Sequence, residues 1–332
     1  ISNAPPFSGV FQIINQLLFA TKSEAVALHA VERMKQGKKP VIAFANTMES
    51  FLATLTDDEG KHVTEGTKIK DDFSLIFFKR FESIFKYTVE KLVYNEQADE
   101  FETVREHKKL NINLFSDVAQ KEYIRLRRKI QETTIGITAS PLDIIQKIIN
   151  ESGFSTVEVT GRTTRLKIEN DGTATIVPRV PTPSNDAFRM FNNNDVDCLL
   201  INQSGAAGAS AHAIRSGQAQ KVNYDKNNNP ILPSSLLPKD EIKQRCMIIL
   251  QAELDINKEV QKRGRTHRTG QVFLPIYDYI ISAIPAEERL MMMLQRKLKS
   301  LDANTSSNQK QSTTIIDVND FLNKYGDDTC VD

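Results

Sequence analysis

Five short strand-like runs, led by one that is apolar without polar alternation, constrain this chain more than any other feature. Val41-Ile42-Ala43-Phe44-Ala45 follows Lys38-Lys39-Pro40 and leads into Asn46-Thr47, and the same strand-then-turn pattern recurs at 156–161, 197–203, 246–251 and 272–281. A strand without polar alternation is buried on both faces, which favours a parallel sheet. Helical periodicity fills the gaps at 48–55, 141–152, 184–192 and 257–268, with Pro141 at the first turn of its segment. Strands alternating with helices predict an open α/β sheet. No period of 20 to 50 residues repeats, which excludes a solenoid.

Other segments sit around this alternation. The stripe Ala27, Leu28, Val31 and Met34 predicts a helix over 23–37, with Ser23 as its cap and Gly37 closing it. Residues 72–132 read as a helical insertion, carrying the aromatic stripe Phe73, Phe77, Phe81, Ile84, Phe85 and Val89 and then the basic run Lys121, Arg125, Arg127, Arg128 and Lys129. The stripe reads as core; the basic run fits either a solvated helix face or a phosphate-facing surface. Asn170-Asp171-Gly172 between alternating runs signals a hairpin over 166–179, and 214–240 reads as a surface excursion. Pro285 opens a helix whose Leu290, Leu294, Leu298 and Leu301 share a face, followed by a polar linker at 305–312. The organisation expected is a linker and helix (1–37), a lobe (38–71 and 133–281), the insertion (72–132) and a helical extension with a tail (282–332).

Lys plus Arg number 43 against 42 Asp plus Glu, so the net charge of +1 supplies no global field, and any nucleic-acid footprint must be local. Cys198, Cys246 and Cys330 lie far apart with no metal-ligand spacing. They support neither a disulfide framework nor a zinc site, and a reducing compartment, cytoplasmic or nuclear, is the default. The apolar stretch 10–20 is broken by Gln12, Asn15 and Gln16, so it reads as neither signal peptide nor membrane span. The opening Ile1 suggests a piece of a longer polypeptide.

The densest polar constellation is Gln261-Lys262-Arg263-Gly264-Arg265-Thr266-His267-Arg268-Thr269-Gly270-Gln271, with four cations in seven positions. Arg265 and Arg268, three apart, would share a helix face and could clamp adjacent phosphate oxygens; an exposed basic helix is the alternative. A second is Asn202-Gln203-Ser204-Gly205-Ala206-Ala207-Gly208-Ala209-Ser210-Ala211-His212-Ala213, where near-absence of bulk lets backbone N–H groups approach an anion; tight strand-to-helix packing needs the same residues and is the alternative. Thr160-Gly161-Arg162 is another strand end with a glycine and a cation. His212 and His267 have no partner at ligand spacing, which argues against catalysis by either.

In this order, Asn46-Thr47, Thr160-Gly161-Arg162, the Gly205 to Gly208 loop and the QxxGRxHRxGQ run resemble the second RecA-like lobe of a superfamily-two helicase or translocase of the Swi/Snf type. Ser140-Pro141-Leu142-Asp143, Glu158 to Arg162, Gly205 to Gly208 with Ala211-His212-Ala213, Gly264 to Arg268, Glu288-Arg289, Lys297 to Leu301 and Asn323-Lys324-Tyr325-Gly326 narrow the likeness to the C-terminal helicase domain of the strawberry notch family. It covers 40–60 and 138–327 and leaves 72–132 unexplained.

The resemblance implies an α/β, RecA-like, mostly parallel sheet with a helical insertion and extension. It implies ATP and Mg2+ between this lobe and an N-terminal RecA-like lobe, with DNA as the expected nucleic acid and no membrane. Arg268 would be the arginine finger, Arg265 a second phosphate contact and Gln261 a polar partner. Gly205, Gly208, Gly264, Arg265 and Arg268 would approach ATP. Asn46, Thr47, Thr160, Gly161, Arg162, Ser204 and Gly205, with Arg125 and Arg128, would contact nucleic acid. The chain has no GxxxxGK[ST] loop, and Asp57-Asp58-Glu59-Gly60 lies in a polar turn, so Mg2+ ligands are expected on the other lobe and this chain alone is expected to be inactive. The rival reading is a catalytically incomplete lobe that binds partners. A dinucleotide enzyme would need a glycine-rich turn after Phe44, and there is none.

Overall fold

A computed structural model of the chain describes residues 7–45, 47, 64–95, 100–133, 136–202, 210–213, 223–224, 230–231, 242–251, 255–268 and 270–305. In chain order the elements are α1 (Phe7–Lys35), β1 (Lys39–Phe44), β2 (Lys68–Lys70), α2 (Ser74–Ile84), β3 (Lys86–Asn95), β4 (Glu100–Lys109), a turn of 3-10 helix (Ile112–Leu114) and α3 (Asp117–Thr133). Then follow α4 (Pro141–Glu151), β5 (Thr156–Val159), β6 (Thr164–Ile168), β7 (Thr173–Pro178), α5 (Ser184–Asn192) and β8 (Cys198–Asn202). The last are β9 (Asn223–Tyr224), β10 (Pro230–Ile231), β11 (Arg245–Ile249), α6 (Ile256–Arg263), β12 (Ile276–Tyr279) and α7 (Pro285–Thr305).

The five strand-like runs become one parallel sheet in the order β12-β11-β1-β8-β5. Every residue of β1 and β11 is buried. On one face Ile42 and Phe44 of β1 join α1, α4 and the start of α2 in a core that includes Phe19, Val26 and Ile145. On the other, Val41 and Ala43 meet Phe188 and Phe191 of α5. Successive side chains of a strand point to opposite faces, so two covered faces demand an unbroken apolar run. This is the α/β, RecA-like sheet flanked by helices that the sequence predicts.

Helix α1 departs from its expected start. It begins at Phe7, and Ser23 lies inside it, buried, with Oγ donating to the Ala20 carbonyl at 2.8 Å. A hydroxyl bonded back to the preceding turn does not stop a helix, and Leu17 to Ala20 extend the apolar stripe upstream. Leu28 leaves that stripe, being 54% exposed, while Ala30 joins it. Gly37 closes the helix in the left-handed region at φ 74°, with its N–H on Met34 O and that of Lys38 on Arg33 O.

The insertion is not all helical. Between α2 and α3, strands β3 and β4 form a ten-residue antiparallel hairpin, so Val89 belongs to a strand. Phe73 reaches the central core, whereas Phe81 and Phe85 pack with Phe115 and Tyr123 in a separate aromatic cluster between α2 and α3. The β-branched and aromatic residues Tyr87, Thr88, Val89, Val93 and Tyr94 favour a pleated ribbon over a continued helix. The expected hairpin at 166–179 is present as β6 and β7, with Gly172 at φ 79° and β2 added alongside β7. In α7, Met291, Leu294 and Leu298 pack on Ile256, Tyr279 and Ile281. Segment 48–55, the acidic turn 57–60, most of 214–240 and the residues beyond 305 lie outside the described residues. No described helix is long and apolar enough to cross a membrane.

Candidate functional site

The carboxyl ends of β1 and β8 and one side of α6 enclose a small cleft. Ala43 and Phe44 line it from β1, Ile201 and Asn202 from β8, and Lys258, Gln261, Lys262 and Arg265 from α6 and the turn beyond it. Helix α6 starts at Asp255, whose side chain accepts the Asn257 N–H at 3.0 Å. The cluster that seats it against β12 is internal. Glu259, 0% exposed, accepts from Lys262 at 3.2 Å and from the Tyr279 hydroxyl at 2.5 Å, and Arg263 donates to that hydroxyl while lying over the rings of Tyr277 and Tyr279. Burial raises the Tyr279 hydroxyl far above its usual range, so it stays protonated and donates.

The expectation that Arg265 and Arg268 share a helix face is corrected. The helix ends at Arg263, and Gly264 to Thr266 form a turn with Arg265 N–H on Lys262 O and Thr266 N–H on Arg263 O. Two features draw the chain out of the helical ladder. The Arg265 carbonyl is taken by the Ala211 N–H at 2.8 Å, and Thr266, almost fully buried, turns its hydroxyl onto Arg263 O at 3.2 Å. Gly264 has an ordinary φ of −59°; a Cβ there would sit 3.3 Å from the Val260 carbonyl, so its hydrogen serves a close approach within its own turn.

The arginines still stand together. Arg265 is half-buried in the cleft, its pKa lowered by burial and then by the neighbouring Arg268 charge. Arg268 is exposed, and its guanidinium touches the Gly264 carbonyl at 3.3 Å. Beside them His212 is buried, with Nδ1 2.5 Å from Ser210 Oγ, and its pKa is lowered by burial, then by Arg268 and Arg245. Two like charges and a neutral imidazole around one loop make a place where an added anion gains and an added proton costs.

Arg162 is a second correction. It is 0% exposed, with Nη2 2.8 Å from Asp143 and Nε 2.7 Å from Glu158, and so cannot reach a phosphate. Thr160 is buried as well, its hydroxyl donating to Glu158. Gly161 alone of the three faces solvent, with open space where a Cβ would stand. Arg125 and Arg128 are exposed on α3, which packs on α2, and pair with Glu122 at 2.6 Å and Glu132 at 2.8 Å. Thr47 is half-buried after β1; Asn46, Ser204, Gly205 and Gly208 lie outside the described residues.

The sequence reading missed Lys258 as a lining residue, Glu259 and Tyr279 as the clamp under α6, and Asn192 and Arg245 beneath the 210–213 strip. Glu259, Lys262 and Arg263 stand at i, i+3 and i+4, a signal that could have revealed the clamp; Arg245 opens an apolar strand and gives none.

Comparison with known proteins bears on the same residues. Residues 237–330 match the family described as the C-terminal domain on Strawberry notch homologue. The chain is 26% identical over 196 residues to human protein strawberry notch homolog 1, covering 56% of this chain and 12% of that protein. It is 26% identical over 211 residues to Drosophila melanogaster protein strawberry notch, covering 60% and 11%, and 35% identical over 86 residues to the Caenorhabditis elegans homolog, covering 25% and 5%. The aligned part is thus little more than a tenth of the length of the longest-matched relatives.

Proposed function

We propose, starting from a helicase-like C-terminal domain shared with the strawberry notch proteins, that this chain is the second motor lobe of an ATP-dependent nucleic-acid helicase or translocase acting on DNA. The observation that carries this reading is the convergence of Lys258, Gln261, Lys262 and Arg265 on a cleft over the carboxyl ends of β1 and β8, with Arg268 beside it. Open α/β sheets bind ligands in the crevice outside the carboxyl ends of their strands. Lys258, Arg265 and the Gln261 amide suit a polyphosphate, whereas Lys262, which also lines the cleft, gives its ammonium to Glu259 and the Gln251 carbonyl, and Glu259 is held there by Lys262 and Tyr279.

The cleft holds about 40 Å³, far too little to enclose a nucleotide, which fits one wall of a site completed by another lobe. When bound there, ATP with Mg2+ supplies the phosphoryl group and the neutralising metal, whose ligands this reading places on the first lobe. Arg265 and Gln261 would orient the phosphates from this side, and Arg268 would meet charge that develops on the transferring group. Nucleic acid would be held through its backbone at the exposed Gly161 turn, at Thr47 and at residues 204–208, a mode that ignores sequence and weakens with salt.

The test compares two proteins. The 332-residue chain alone should hydrolyse ATP no faster than buffer, and a polypeptide joining it to its N-terminal lobe should hydrolyse ATP when nucleic acid is added. Turnover by the isolated chain, or none by the two-lobed protein, overturns the reading.

A further inference from the structure

We propose that Arg245 and Asn192, neither of which lines the cleft, are positioning residues for the arginine loop and act on it through the strip 210–213. This rests on the motor reading only for its effect on turnover. Arg245 opens β11 opposite Lys39 of β1, at the amino ends of the strands, whereas the cleft lies over their carboxyl ends. The residue is 2% exposed, and its described hydrogen bonds all go to neutral acceptors: Ala211 O at 2.9 Å, Lys243 O at 3.0 Å and Asn192 Oδ1 at 3.3 Å. It lies over the Phe191 ring, 4.9 Å from the centroid. Burial alone lowers its pKa to about 10.

A buried cation without a compensating carboxylate is costly, and the rest of β11 is apolar, so a methionine would fill the same space against Phe191 more cheaply. What the guanidinium brings is a fork of directed donors. One prong fixes the Ala211 carbonyl and another fixes Asn192, whose amide in turn donates to the Ser210 carbonyl at 2.9 Å. The strip held from below then holds the loop above it at both ends. Ala211 N–H binds the Arg265 carbonyl at 2.8 Å, and the Ala213 carbonyl accepts the Val272 N–H at 2.7 Å. Arg268 lies between those two pins. Its own loop bonds are long, 3.3 Å to Gly264 O and 3.2 Å from its N–H to Gln271. The geometry of the arginine loop is therefore set by the strip and, beneath it, by Arg245 and Asn192.

The experiment uses Arg245→Met and Asn192→Ala, two lesions at different points of the same support. Amide hydrogen exchange in the 332-residue chain is expected to speed up tenfold or more at Ala211 and Val272, with Ile42 and Leu200 of the sheet unchanged. In the two-lobed protein both variants are expected to lower kcat for nucleic-acid-stimulated hydrolysis at least tenfold with KM for ATP within twofold, the signature of a contact made only in the transition state. Unchanged exchange at Ala211 and Val272 overturns the proposal, as does faster exchange throughout the sheet in both variants, which would make these ordinary core residues. Local loosening with full kcat also overturns it. Local loosening in the variants, with a two-lobed wild type that hydrolyses no ATP, upholds the support and sinks the motor reading instead.

Discussion

Two glycine-and-arginine turns leave this lobe in opposite electrostatic states. After β5, Arg162 is sealed among Asp143, Glu158 and Thr160, and its pKa is pushed up by the two carboxylates, which outweigh its burial. After α6, the pKa of Arg265 moves down through burial and then through the neighbouring Arg268 charge, and the Arg268 guanidinium meets the Gly264 carbonyl. The first is a buried ion cluster whose charges answer one another, with only Arg162 Nη1 left without a hydrogen-bond partner and sealed from solvent. The second is a repulsive pair that an anion would relieve. A cation next to a glycine at an element's end thus says nothing about use until the surrounding charges are known.

The sharpest way to break this comparison is to remove one arginine from each turn. In the two-lobed protein Arg268→Ala is expected to reduce stimulated ATP turnover by about 10³ to 10⁵, the range for arginine fingers, with Tm nearly unchanged and Arg268→Lys rescuing little because an ammonium lacks the planar fork. Unfolding by Arg268→Ala with rescue by Arg268→Lys would instead place Arg268 in a structural pair. Arg162→Ala should do the reverse: denaturant unfolding of the 332-residue chain should show a loss of about 3–5 kcal/mol, because Asp143 and Glu158 would remain buried without their partner. A variant as stable as wild type would mean that the turn is held by something other than its ions.

A smaller effect comes from His212. Its folded pKa lies below the ordinary value, so the unfolded chain binds the extra proton as pH falls through about 6.5. Stability should therefore be fully present above pH 7 and decline on acidification, by at most about 1.4 kcal/mol per pH unit for one proton. His212→Gln should flatten that part of the profile in thermal melts between pH 7.5 and 5, and an unchanged slope would assign it to other groups. The smallest effect belongs to α3. Arg125→Ala and Arg128→Ala remove exposed pairs at i, i+3 and i, i+4 spacing and should each change stability by less than about 0.5 kcal/mol. Loss of nucleic-acid affinity in either variant would extend the interface to the insertion.

Sequence alone determined the parallel sheet, because strands covered on both faces have to be apolar throughout, and Val41 to Phe44 and Cys246 to Ile249 display that without context. It also determined the hairpin at Asn170-Asp171-Gly172, whose glycine supplies the φ that the turn needs, and it singled out the segment carrying Gln261, Arg265 and Arg268. Only the tertiary structure decided that 86–95 and 100–109 pair as antiparallel strands within an insertion read as helical, that α6 stops at Arg263, and that Arg162 is an internal ion while Arg265 opens on a cleft. The physical reason is range. Strand burial and turn geometry are written within a few consecutive residues. The state of a cation depends on partners brought in from elsewhere: Asp143 lies 19 residues from Arg162, and the strip that bends the chain at Arg265 comes from residue 211.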